Sequence, residues 1–301
     1  MKANQSNLNV SFDMKEINQK ENSISRRAFI AGSAGAVMAT AIPLSFAGEE
    51  RFHNKSLQLW SCGGLAEAFM PANKLFREKT GVEIAYTGAF AAALGKSLLG
   101  SATTELFAGR VLDLSKKLRE ADKMVSFKPL CFTSYVLVTP KGNPASISGI
   151  QDMAKPGVRV ILSPDASPPG GDAVNVLLKK AGVLDKVMKN CVIKSSCVQR
   201  AMQELIEGKG DVSIVEKRLT RMAIFMDRAE IIPIPEEFFP PPPLTFTIGM
   251  MKYAKEPELA EYYIEYIRSK EGQGFFEAAG FIPAISEDGM RLIEKLGVKD
   301  V

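Results

Sequence analysis

From residue 55 to residue 279 the chain alternates short apolar runs with segments of helical period, and few architectures accept that order. Runs at 55–60, 82–86, 105–108, 158–162, 191–194, 212–215, 231–234 and 244–251 have strand character, and 131–138 reads as one continuous buried strand. Helical periodicity fills the gaps: Leu65, Phe69, Ala72, Leu75 and Phe76 recur every three or four positions, and Gly81 closes that helix. Pro71 inside it predicts a kink or a second start. Further helices are expected at 90–99, 111–121, 150–154, up to 181, 198–206, 256–269 and 272–279. Such alternation builds open, mostly parallel sheets with helices on both faces, which take ligands at the carboxyl ends of their strands. At 301 residues the chain exceeds one ordinary hydrophobic core, so two domains are expected.

Charge and residue usage exclude several functions. The formal net charge is +4, and residues 1–47 hold five basic and three acidic residues, which leaves +2 on the rest. That balance makes no field for nucleic acid or acidic membranes. His53 is the single histidine, so a Ser-His-Asp or Cys-His site would need that residue and a multi-histidine zinc site cannot form. Cys62, Cys131, Cys191 and Cys197 form no CxxC pair, and the sequence does not choose among their three possible disulfide pairings.

The amino terminus reads as an address. A polar stretch of 24 residues precedes Ser25-Arg26-Arg27-Ala28-Phe29-Ile30, an Ala- and Gly-rich apolar run follows to Phe46, and Ser45-Phe46-Ala47 supplies the small residues a signal peptidase needs. This resembles a twin-arginine export signal over residues 1–47, which implies a periplasmic destination. An uncleaved membrane anchor is the alternative, which Gly32, Gly35 and Pro43 disfavour by diluting the apolarity.

Several turns run directly into helix starts, at 62–65, 88–90, 167–172 and 195–198. Helix N-termini offer unpaired N–H groups and partial positive charge, which together favour anions. Five segments, in this order, carry a family resemblance: Leu65-Ala66-Glu67-Ala68-Phe69 running to Thr80-Gly81-Val82; Val136-Leu137-Val138-Thr139-Pro140-Lys141-Gly142-Asn143-Pro144; Pro156-Gly157-Val158-Arg159-Val160 leading into Pro168-Pro169-Gly170; Gly210-Asp211-Val212-Ser213-Ile214-Val215; and Ser269-Lys270-Glu271-Gly272-Gln273-Gly274-Phe275 with Gly280-Phe281. With them, residues 55–284 resemble the periplasmic molybdate/tungstate-binding proteins of ABC importers, within the type-2 periplasmic binding fold.

The resemblance implies two α/β lobes, 48–137 plus 244–301 and 138–243, with crossings near 135–138 and 243–246. It implies a monomer that holds a small ligand between its lobes and delivers it to a membrane ABC permease, with no nucleic-acid partner, no cofactor and no catalysis. Carried over by position, the ligand-binding residues are Cys62, Gly63, Gly64, Ala89, Phe90, Arg110, Pro169, Gly170, Val198 and Glu216. Several depart from the family pattern. Gly64 and Ala89-Phe90-Ala91 stand where serines are usual, Pro169 has no N–H to give, Gly109-Arg110-Val111 replaces Ser-Ala-Asp, and Glu216 takes the place of the cleft tyrosine. Each missing donor to a buried partner costs on the order of 1–3 kcal/mol. Glu216 resembles a carboxylate of the archaeal tungstate binders, whose second carboxylate would align near Ser167. Beside an oxyanion it needs a counter-charge, for which Arg110 and Arg200 are the candidates.

The expected ligand is therefore an oxyanion of the molybdate or tungstate type. The alternatives are a metal cation held by Cys62, Cys197 and Glu216, a small organic anion for which Phe90 would suit, or an exported enzyme with a bound cofactor. One contact separates the first two ligand classes: Glu216 facing Arg110 favours an oxyanion, and Glu216 facing Cys62 and Cys197 favours a metal.

Overall fold

The computed structural model describes residues 52–164, 166, 170–238 and 245–298, so the stretch 1–47 that reads as an export signal, and Pro169, lie outside the described residues. The first strand, β1 (Ser56–Cys62), buries Leu57 and Leu59 on one face and so fixes its own register. It pairs in parallel with β2 (Glu83–Ala89) on one side and β3 (Leu106–Arg110) on the other. α1 (Ala66–Thr80) and α2 (Ala91–Leu99) follow β1 and β2, and α3 (Leu112–Glu120) follows β3. α1 runs through Pro71 without a break. Pro71 lies on its exposed face, where water can satisfy the Glu67 carbonyl that the missing N–H leaves free. Gly81 ends α1 at φ +73°, a conformation that costs glycine nothing.

The run at 131–138 is two strands and not one. β4 (Met124–Phe132) belongs to the first sheet, and β5 (Tyr135–Pro140) to the second. The chain crosses between them at Thr133-Ser134. Residues on both sides of the crossing are buried, so hydropathy carries no mark of the change of sheet. The first sheet is completed by β10 (Thr245–Met251) and β11 (Ile282–Pro283), in the order β11-β4-β10-β3-β1-β2. The second holds β6 (Val160–Leu162), β7 (Cys191–Lys194), β8 (Val212–Glu216) and β9 (Ala229–Pro233), in the order β7-β6-β8-β5-β9. Parallel pairing is confined to β2-β1-β3 and β7-β6-β8. The pairs on the crossing side, β3–β10, β10–β4, β8–β5 and β5–β9, are antiparallel, because there the chain re-enters each sheet from the other lobe.

Helices cover both faces of each sheet. In the first lobe Phe69, Phe76, Tyr263 and Phe276 fill one face, with Phe76 and Tyr263 edge to face at 5.0 Å, and Phe107, Phe127 and Phe132 fill the other. Tyr263 belongs to α7 (Pro257–Arg268) and Phe276 to α8 (Lys270–Ala278), and α9 (Glu287–Leu296) closes the far face. In the second lobe α4 (Gly170–Lys180) and α5 (Leu184–Asn190) cover one face and α6 (Val198–Ile206) the other. Among the described residues no helix is long and apolar enough to cross a membrane.

Candidate functional site

Strand ends from both sheets meet in a cleft of about 610 Å3. β1 delivers Cys62-Gly63-Gly64, β2 delivers Gly88 to Phe90, β3 ends on Arg110, and the second lobe contributes Ala166, Cys197 to Gln199, Glu216 and Arg218. Eight of the ten residues expected to bind ligand, Cys62, Gly63, Gly64, Ala89, Phe90, Arg110, Val198 and Glu216, line this one cleft. Gly170 opens α4. A Cβ on Gly88 would lie 3.6 Å from the Gly63 Cα, so the turns after β1 and β2 rest against each other. Phe90 is the N-cap of α2 and Cys197 that of α6. Neither side chain caps its helix, so first-turn N–H groups of both helices are left without a side-chain partner.

The floor of the cleft is a charged chain. Glu216 is only 2% exposed, yet it accepts from Arg110 Nη2 through Oε1 and from Arg218 Nε through Oε2, the latter at 2.7 Å. Burial alone would raise its pKa, but Arg110 and then Arg218 outweigh that and hold it at about 2. Glu216 is thus an anion with two cations. From outside the cleft Glu67 reaches Arg218 Nη1 at 3.7 Å, and it is exposed enough for solvent to screen it. The cleft floor keeps one positive charge in surplus.

Local backbone explains how Arg110 gets there. It pairs with Phe246 on β10, and its guanidinium sits 5.7 Å from the centre of that ring. The next residue, Val111, has φ +81°, rare for a β-branched side chain and costing about 1–3 kcal/mol. Its N–H is held by the Thr245 carbonyl at 3.0 Å. The strained turn ends β3 at Arg110 and starts α3, and nothing in the sequence announces it.

The expected counter-charges are half corrected. Arg110 serves, but Arg200 does not: it pairs with Glu204 one helical turn away and is mostly exposed. The second counter-ion is Arg218, which sequence reasoning missed. Its available signal was position, two residues beyond Glu216. A Cβ on Gly64 would lie 3.4 Å from Cζ and Nε of Arg218. At the position where the sequence resemblance leads one to expect a serine hydroxyl, a guanidinium from the opposite lobe lies close by. One net charge at ~4 Å contributes on the order of 4 kcal/mol at an effective dielectric near 20. That is comparable to two lost hydroxyl donors at ~1–3 kcal/mol each.

Cys62 and Cys197 also line the cleft, but the hydrogen bonds of Glu216 go to the arginines. Burial pushes the Cys62 thiol up, more than the neighbouring Arg110 lowers it, which disfavours the thiolate a metal would need. All four cysteines are unpaired, and no group of three metal-ligating side chains occurs among the described residues.

A family model for bacterial extracellular solute-binding proteins matches residues 57–282. A putative binding protein of Haemophilus influenzae is 21% identical over 76% of this chain and 91% of its own. The molybdate-binding protein ModA of Mycobacterium bovis is 21% identical over 75% and 84%. Among solved structures, the substrate-binding domain of a putative molybdenum ABC transporter from Clostridium difficile superposes with a TM-score of 0.67 at 20% identity, covering 76% of this chain and 98% of that one. The two-lobed fold and the relationship to molybdate binders read from the sequence are thus met. With three-quarters of its length matched, the chain belongs to the family of bacterial extracellular solute-binding proteins.

Proposed function

We propose that this protein captures a small anion between its lobes outside the cytoplasm and delivers it to a membrane ABC permease, acting as a binding protein and not as an enzyme. One observation carries the reading: at the junction of the lobes two guanidiniums, Arg110 and Arg218, face a single buried carboxylate, Glu216. The surplus positive charge, together with the uncapped starts of α2 and α6, favours an anion over a cation. Molybdate enters as a candidate through the relatives and tungstate through the sequence resemblance, and the guanidinium of Arg218 stands where that resemblance leads one to expect a hydroxyl. The relation of Glu216 to its arginines counts against the metal-thiolate reading. The twin-arginine leader fits export to the periplasm.

A ligand that binds only the folded form stabilises it by ~2.7 kcal/mol at a hundred times its Kd, or about 5–10 °C in a domain pair of this size. Thermal unfolding with molybdate, tungstate, sulfate, phosphate, small carboxylates and divalent metal salts tests the reading. A shift with at least one anion that Arg218→Gln removes is the expected result. A shift with a divalent cation and with no anion would overturn it.

A further inference from the structure

Resting on the reading that the cleft takes an anion, we propose that this anion is organic: a carboxylate or phosphoryl head group held at the Arg110–Arg218 end, joined to a flat apolar body that lies against Phe90.

Three observations carry this. Phe90 is 71% exposed, and it lines the cleft at the N-cap of α2. That is the helix position where Ser, Thr, Asp or Asn would accept an N–H, and a phenyl ring accepts none. A single exposed aromatic residue needs no explanation by itself. This one sits beside Ala89 and Ala91, and from the other lobe Ala166 and Val198 line the same cleft, so apolar side chains of both lobes share it with the ring.

The second observation concerns donors. None of the fourteen described residues lining the cleft carries a hydroxyl. A tetrahedral inorganic oxyanion presents acceptor oxygens in every direction and needs donors all around it. Here the side-chain donors are Arg110 and Arg218, which meet at Glu216, and the amide of Gln199, with backbone N–H groups at the starts of α2 and α6, while eight other lining residues are glycine, alanine, valine or phenylalanine. A ligand charged at one end and apolar at the other matches that division.

The third is size. At ~30 Å3 for each water, a tetrahedral oxyanion displaces roughly two or three waters. The cleft holds about 610 Å3, within the range of pockets that enclose organic ligands.

Calorimetric titration of the full exported chain with paired probes tests the proposal: acetate against phenylacetate, and phosphate against phenyl phosphate, with molybdate and sulfate alongside. Each aryl compound is expected to bind at least about tenfold tighter than its bare head group, since ring-on-ring contact adds to apolar burial. Phe90→Ala should bring each pair to parity with the unfolding temperature of the free protein unchanged, and Phe90→Leu should keep part of the preference. Arg218→Gln should abolish binding of both members of a pair. Molybdate, sulfate or phosphate binding as tightly as the aryl compounds, or an aryl preference that survives Phe90→Ala, overturns the inference and leaves the anion-binding reading standing. Absence of heat from every probe overturns the anion-binding reading itself, and this inference with it.

Discussion

Glu216 alone at the base of an anion cleft would repel the ligand, and its two guanidiniums reverse the sign. Burial disfavours its charge and the arginines favour it, so its pKa stands at about 2 against an ordinary 4.5. A carboxyl depressed by folding adds stability that is fully present above its unfolded pKa and is lost as pH falls through the folded one. Here that window runs from about pH 4.5 down to about pH 2, and the loss across it is on the order of 3 kcal/mol. Glu216→Gln should therefore flatten the acid limb of stability in denaturant titrations between pH 5 and pH 2. Coincident limbs for variant and parent would show that the pair is not formed. At pH 7, Glu216→Ala, which leaves two buried guanidiniums without their anion, should cost ~3–5 kcal/mol. Gly64→Ser tests the other side of the same contact. With a Cβ already 3.4 Å from the guanidinium, the added hydroxyl should displace Arg218 and weaken anion binding by about tenfold in a titration.

At the scale of elements, legibility followed burial. α6 and β7 stand where their periodicity puts them, because each has one face in a core and one in water. β4 was hidden in its first half, where Val125, Ser126 and Lys128 face outward between buried neighbours, and in its second half it merges with β5. α5 and α9 went unread. α5 is two turns long with Val187 as its one fully buried residue, and α9 buries little beyond Leu292. In the site, backbone turns were legible from glycines after strands, since those positions follow from topology. Arg218 and the strained Val111 were not, because their roles depend on which residues the opposite lobe or β10 brings near. The aromatic layer under α1, α7 and α8 is the element most able to report on first-lobe packing. Phe76 touches the rings of Tyr262, Tyr263 and Tyr266 and is 1% exposed. Phe76→Ala should cost ~3–5 kcal/mol in equilibrium unfolding, the usual toll of a large core cavity. A loss under ~1 kcal/mol would mean that the layer collapses around the gap.

Across the whole molecule the two lobes are joined at the cleft floor and again where Glu236 of the second pairs with Arg291 on α9 of the first at 2.7 Å. Arg110 on β3 reaches Glu216 on β8, whose partner in register is Tyr135, just past the crossing at Thr133-Ser134. Arg218 reaches back to Glu67 on α1. Beside them Gly280, after α8, brings first-lobe backbone against the second-lobe turn Lys217–Arg221, where a Cβ would lie 3.0 Å from the Arg218 Cα and 3.1 Å from the Arg221 Cγ. Its φ of +87° disfavours other residues for a second reason. Gly280 thus sets how closely the lobes approach on the side of the cleft where Arg218 stands. Hinge closure about two crossings amplifies a small wedge near the axis into a wider separation at the cleft mouth. Gly280→Ala should cost ~1–2 kcal/mol from the backbone alone. By displacing the Lys217–Arg221 turn it should also pull Arg218 off Glu216 and lower anion affinity by about tenfold. Small-angle scattering of the ligand-free variant should show a larger radius of gyration than the parent, with the helical circular dichroism unchanged. A variant with reduced stability but parental affinity and radius would confine Gly280 to a local backbone role and leave lobe spacing to the ion pairs.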